Sequence, residues 1–212
     1  MVLPDEKHNV LANAELRSTL WRFAKTGDLE NLQKHWLNGC PLDRFVCAFA
    51  ARGGWLEVLK WARANGFPCD EWTCAWAVQG GHFEILKWLR KNGCPWDWKT
   101  CAYAAEGNRL EILKWAHENG CPWDKFVCSW AAAEGCLITL KWARENGCPW
   151  NERTCSGAAF GRHLDLLRWA RENGCPWNEG TCWAAELGGD KSVIRWVREN
   201  GCPCKCEQLA EQ

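Results

Sequence analysis

Methionine and tyrosine are almost missing from this 212-residue chain, with one of each, and so is any net charge. The 26 Lys and Arg side chains offset 26 Asp and Glu, so bulk attraction to a polyanion or an anionic membrane surface is not expected. Long apolar runs are absent too. No window approaches the ~18 uncharged apolar residues that a membrane-spanning helix requires. Met1 to Asn13 holds Asp5, Glu6, Lys7 and His8, and no apolar stretch of signal-peptide length. These absences predict an intracellular, cytoplasmic protein in a reducing compartment, with its cysteines held as thiols. Catalytic signatures are lacking as well. There is no Gly-rich phosphate loop, no H-E-x-x-H and no G-x-S-x-G, and His8, His35, His82, His117 and His163 are spread along the chain. No enzyme activity, cofactor or metal is expected.

In abundance are 18 Trp, 16 Cys and 19 Gly, a skew that points to a few positions copied many times. Asn-Gly recurs at Asn38-Gly39, Asn65-Gly66, Asn92-Gly93, Asn119-Gly120, Asn146-Gly147, Asn173-Gly174 and Asn200-Gly201, always 27 residues apart. A proline follows two places later each time, from Pro41 to Pro203, and a tryptophan keeps its own register from Trp61 to Trp196. Self-similarity at this period is the signature of a solenoid.

Residues 94–120 show the physics of one unit. Asp97 is a good N-cap, in a column with Asp43, Asp70, Asp124, Asn151 and Asn178. A short helix from Trp98 to about Glu106 follows, with Cys101, Ala104 and Ala105 as a small-residue stripe, and Gly107 ends it. A second helix runs from about Arg109 to Asn119 with a broad apolar face. Gly120 follows, where left-handed geometry favours glycine, and Pro122 stops the helix resuming. The fold expected is an all-α, right-handed solenoid of helix-turn-helix repeats in one domain. Its parts are a capping repeat at 13–39, repeats at 40–66, 67–93, 94–120, 121–147, 148–174 and 175–201, and a C-terminal cap at 202–212.

The segment Thr73 to Gly93, TCAWAVQGGHFEILKWLRKNG, resembles the two-helix part of an ankyrin repeat, through Gly81-His82-Phe83-Glu84-Ile85-Leu86-Lys87 and the closing Gly93. LEVLKWARANG at Leu56 to Gly66 and LEILKWAHENG at Leu110 to Gly120 are similar. The resemblance covers about residues 16–206, without the β-hairpin finger, because Gly93 reaches Thr100 through only CPWDWK. It is nearest to the short, Trp- and Cys-rich ankyrin-like arrays of some protists and large DNA viruses. It implies a non-enzymatic module that binds a partner protein, and makes His82 and His163 turn-bracing groups rather than metal ligands.

The Trp88 column sits beside the Leu86 column and reads as core. Trp96, Trp123, Trp150 and Trp177 follow the turn proline and should seal the end of helix two against the next unit. Cysteines fall in two columns seven residues apart, Cys40 to Cys202 and Cys47 to Cys182. Phe67 stands in the first, which a ligand or disulfide role would not tolerate, so small apolar packing is expected. A disulfide within each pair is sterically open. Lys60, Lys87, Lys114, Lys141, Arg168 and Arg195, with a second cation three places on in each, form a stripe on helix two. A nucleic-acid-binding helical repeat would use such a stripe, and this is the alternative function. Glu57, Glu84, Glu111 and Asp165 favour ion pairing instead.

Recognition is expected where the columns vary, in the first helices. Phe45, Phe49, Glu71, Trp72, Trp76, Trp98, Tyr103, Lys125, Phe126 and Trp130 are the candidate partner-binding residues, because aromatics beside charges make binding hot spots. The competing reading packs these rings between successive first helices. A further variable column, at the loop before helix two, runs Trp55, His82, Arg109, Cys136, His163 and Asp190. A monomer is expected.

Overall fold

The computed structural model describes residues 4–37 and 42–204, with side chains from residue 15 onward. The Asn38, Gly39, Cys40 and Pro41 markers, and the cap residues 205–212, lie outside the described residues. Among the described residues there are 14 α-helices and no strand. The chain forms two compact units, residues 1–100 and 101–212.

In the first unit the helices are α1 (Pro4–Thr26), α2 (Leu29–Trp36), α3 (Arg44–Gly53), α4 (Leu56–Ala64), α5 (Glu71–Gln79) and α6 (Phe83–Lys91). Each odd helix forms a hairpin with the even helix after it, while α1, α3 and α5 pack on one another in succession. α1 is far longer than the short helix expected from residue 13 onward. The second unit repeats the plan. It takes in most of α7 (Trp98–Glu106), then α8 (Leu110–Glu118), α9 (Lys125–Ala133), α10 (Leu137–Glu145), α11 (Glu152–Phe160), α12 (Leu164–Glu172), α13 (Glu179–Gly188) and α14 (Lys191–Glu199). The chain is thus an all-α helical repeat solenoid.

Local chemistry accounts for the helix ends. Asp43, Asp124, Asn151 and Asn178 each accept a hydrogen bond from the backbone N–H two residues on, at 2.8–3.2 Å. Asp70 forms a reciprocal capping box with Thr73. Beyond the second helices, Gly66, Gly93, Gly120, Gly147, Gly174 and Gly201 take φ between +73° and +84°, which a side chain would strain. α7 stops at Glu106, before Gly107 as expected; the positive φ of that turn falls on Asn108, whose side-chain carbonyl accepts from the Thr139 hydroxyl at 2.8 Å.

Alanine and cysteine fill the inner stripe of the first helices. Cys47, Ala50 and Ala51 in one unit and Cys128, Ala131 and Ala132 in the other are fully buried. Residues this small let helix backbones approach closely. Leu59, Leu86, Leu113, Leu140 and Leu167 plug the facing side from the second helices, each fully buried and worth roughly 2–3 kcal/mol. The Trp column does not share that depth. Trp61, Trp88, Trp115, Trp142, Trp169 and Trp196 are half-buried, so the core reading is corrected: leucine is core and tryptophan is rim.

Candidate functional site

In residues 1–100 the first-helix rings form one cluster. Trp21 of α1 meets Phe45 edge-on at 5.2 Å and Phe49 at 6.2 Å. Phe45 and Phe49 lie 6.2 and 5.2 Å from Trp76, which lies 6.3 Å from Trp72. Phe45, Phe49, Trp72 and Trp76 are half-buried: each packs on its neighbours and keeps an edge in water. The rings thus pack between successive first helices and still present an edge at the surface. Cations stand over the rings, Arg44 over Phe45 at 5.1 Å, Arg52 over Trp76 at 5.8 Å, and Lys99 over Trp72 and Trp98 at 4.7 and 5.2 Å. Arg44 also pairs with Asp70 at 3.2 Å, Lys99 pairs with Asp97, and Glu71 is exposed beside them.

In residues 101–212 the ridge is shorter. Tyr103 lies 5.3 Å from Trp130, and Phe126 lies 6.2 Å from Trp130 with Arg153 over its face. Lys125 is exposed at its edge. One repeat beyond Trp130 stands Gly157, where a Cβ would come within 2.8 Å of the Ser129 carbonyl. Close approach of α11 to α9 leaves no room for a ring, and the ridge stops there.

Three members of the variable loop column brace the fold. Trp55 donates its indole N–H to the Lys25 carbonyl at 3.0 Å. His82 Nε2 reaches the Arg52 carbonyl and His163 Nε2 the Ala133 carbonyl, both at 3.1 Å, so each ring ties its loop to the repeat before. This agrees with the bracing role that the ankyrin resemblance implied for the histidines.

Most of the basic stripe is engaged within the scaffold, while Arg168 and Arg195 are exposed. Lys60, Lys87 and Lys114 pair with Glu57, Glu84 and Glu111 three residues earlier. Arg63 donates to the Phe67 carbonyl at 2.9 Å, and Arg90, Arg144 and Arg171 donate likewise to Cys94, Cys148 and Cys175. Arg90, Arg144 and Arg171 also lie 4.0–4.2 Å above Trp96, Trp150 and Trp177. Each guanidinium thus clamps the turn that follows its helix. Sequence reading missed this clamp, although the fixed interval of four residues between arginine and turn residue was its visible signal.

The cysteines are buried in both columns, and twelve described ones are free thiols. Burial pushes the Cys47 thiol up to about 12. The Cys101 and Cys148 thiols are raised by the hydrogen bonds they donate to Cys121 and Cys128, with burial adding to the effect. Such thiols are poor nucleophiles. The expectation of thiols throughout is corrected at one place. Cys182 of α13 and Cys204 beyond α14 form a disulfide, with their Cα atoms 5.6 Å apart. Cys204 sits in the column that holds tryptophan elsewhere, so the bond is not one within the paired cysteine columns. Among the described residues no group of three or more His, Cys, Asp or Glu side chains is placed to hold a metal, and no helix is long and apolar enough to cross a membrane.

Comparison with known proteins places this architecture. Residues 47–90 match the family model described as ankyrin repeats (many copies). The human ASB11 ankyrin repeat domain, known from a crystal structure, superimposes with a TM-score of 0.59 at 15% identity, over 87% of this chain and 98% of that one. No curated protein matches the sequence. The fold is that of an ankyrin repeat domain.

Proposed function

We propose that the protein is a non-catalytic scaffold that captures a partner protein on its first-helix ridge. Ankyrin repeats generally mediate protein–protein interaction, and the ridge has the makeup such contacts use. The observation that carries the reading is the state of its rings. Phe45, Phe49, Trp72 and Trp76 are held rigid by one another, remain half open to water, and are edged by Arg44, Arg52 and Glu71. Rigid aromatic anchors beside charges lose little entropy on binding and supply most of the energy of a hot spot. The segment with Tyr103, Lys125, Phe126 and Trp130 extends the same chemistry in the second unit.

The helix-two stripe lends the nucleic-acid alternative little support, since Lys60, Lys87 and Lys114 are ion-paired and Arg63, Arg90, Arg144 and Arg171 are bonded to turn carbonyls. The test is affinity capture from a lysate, with the intact chain and the Trp76→Ala and Trp130→Ala variants as bait. Loss of about tenfold or more of one captured protein, with unchanged helicity, is expected. Capture that survives both substitutions overturns the ridge. Unfolding of the variants assigns these rings to the scaffold.

A further inference from the structure

The residue after the turn proline is tryptophan at Trp96, Trp123, Trp150 and Trp177, but cysteine at Cys69 and Cys204. Twenty-two residues before each of these two stands a cysteine of the first-helix stripe, Cys47 in α3 and Cys182 in α13, both buried. No other two cysteines of the chain have this spacing. Cys182 and Cys204 are bonded to each other, whereas Cys47 and Cys69 are free. The second unit shows which register closes. Cys182 has Cys202 twenty residues on as well as Cys204, and it bonds to Cys204. Cys74 and Cys94, Cys101 and Cys121, Cys128 and Cys148, and Cys155 and Cys175 share the spacing of twenty, and all remain thiols. The main chain leading to Cys69 matches the one leading to Cys204. Gly66 and Gly201 are left-handed, with φ of +84° and +79°. The Phe67 N–H donates to the Ala62 carbonyl and the Cys202 N–H to the Val197 carbonyl, both at 3.0 Å. The Asn65 and Asn200 side chains donate to the Trp61 and Trp196 carbonyls, both at 2.8 Å.

We propose that Cys47 and Cys69 are a second disulfide site, closed by exchange with a small-molecule disulfide such as oxidised glutathione. Among the twelve described free cysteines Cys69 alone is not buried, so the exchange begins there. The deprotonated Cys69 sulfur attacks one sulfur of the small disulfide. A mixed disulfide forms, and one small thiolate leaves and takes up a proton. The Cys47 thiolate then attacks the Cys69 sulfur, and the second small thiolate leaves and is protonated in turn. Two protein thiols are oxidised to one disulfide, and one small disulfide is reduced to two thiols. The Cys69 thiol is raised by the hydrogen bond it donates to Cys94 and then by burial, and the Cys47 thiol by burial and then by Cys69, so the two sulfurs are neighbours and the exchange is slow. The Arg63 guanidinium favours both thiolates, against Asp70. Cys69 has a rival partner in Cys94, which donates onward to Cys74. The register that is closed at Cys182 and Cys204 selects Cys47 over that rival. The bond fastens α3 to the turn that opens α5, beside the ion pair of Arg44 and Asp70.

The test is equilibration of the full, folded chain with excess oxidised glutathione. The sample is quenched in acid, its remaining thiols are alkylated in denaturant, and peptic peptides are mapped by mass spectrometry without reduction. A peptide pair joined through Cys47 and Cys69 is expected in most of the protein, with loss of two hydrogens. The folding constant of the oxidised protein should rise on the order of a hundredfold over that of Cys69→Ser treated alike, read from denaturant midpoints. Cys47→Ala should halt the exchange at the Cys69–glutathione mixed disulfide. Cys69→Ser should leave Cys47 as an alkylated thiol and the Cys182–Cys204 bond intact. Cys69 is the half-buried partner, so its serine variant keeps the comparison valid if Cys47→Ala unfolds. In the parent protein, Cys69 joined to Cys94, left capped by glutathione or still open to alkylation overturns the proposal.

Discussion

Residues 1–100 and 101–212 follow the same helical plan but place their aromatic surface differently. In the first unit five rings from α1, α3 and α5 gather on the first-helix side, and one Trp–Trp contact, Trp36 with Trp61 at 5.6 Å, lies on the second-helix side. In the second, three rings start a ridge that ends at Gly157, while Trp–Trp contacts recur three times on the second-helix side. The column beside those contacts is Glu118, Glu145, Glu172 and Glu199, where the first unit has Ala64 and Lys91. The interior columns do not differ in this way: leucine, alanine and cysteine are buried in both. Core packing tolerates little change of volume, whereas a rim ring supported by its neighbours can be lost or moved at small cost. Rim chemistry thus varies along the chain while the interior is held constant.

The comparison can be broken or sharpened by substitution. If both units rest on the same leucine plug, Leu59→Ala and Leu140→Ala should each cost about 3 kcal/mol or more, read from denaturant midpoints. A large inequality would show that the units do not share one packing scheme. The disulfide belongs to the second unit alone. Cys204→Ser should therefore lower stability by up to about 3 kcal/mol, and reductant should erase the difference from the parent protein. Thr100→Val should be neutral or stabilising by less than about 1 kcal/mol. The Thr100 hydroxyl is buried without a hydrogen bond, and valine occupies the same column at Val46 and Val127, one in each unit. The smallest effect expected is at Glu106, whose carboxyl is raised by burial and then by Glu134. A raised carboxyl favours the fold while protonated, and that contribution is lost as pH rises through its folded value. Glu106→Gln should thus raise the melting temperature slightly at neutral pH and have no effect in acid below the ordinary carboxylate range.

Features set by neighbours in the chain were readable from sequence. Asp124 caps α9 and Gly120 turns left-handed after α8 because each needs only residues within one helical turn. The buried leucines and cysteines followed from periodicity. Depth and tertiary partners were not readable. Trp88 shares a helix with Leu86, yet Leu86 is fully buried and Trp88 only half-buried. The Cys182–Cys204 bond depends on two Cα atoms meeting at 5.6 Å across 22 residues of sequence, which no local pattern encodes. For the candidate ridge, the ring positions were legible, and their half-buried state was not. The arginine clamps went unnoticed because the sequence placed Trp169 in the interior and read Arg144 as part of an ion-paired stripe.

The braces at Trp55, His82 and His163 reach back 30 residues, to a main-chain carbonyl of the preceding repeat. Since every residue type offers that oxygen, an added copy brings with it the anchor that its successor needs. Such a chain can grow or shrink by in-frame duplication and excision, and the length of the array becomes a heritable dimension that changes in whole steps.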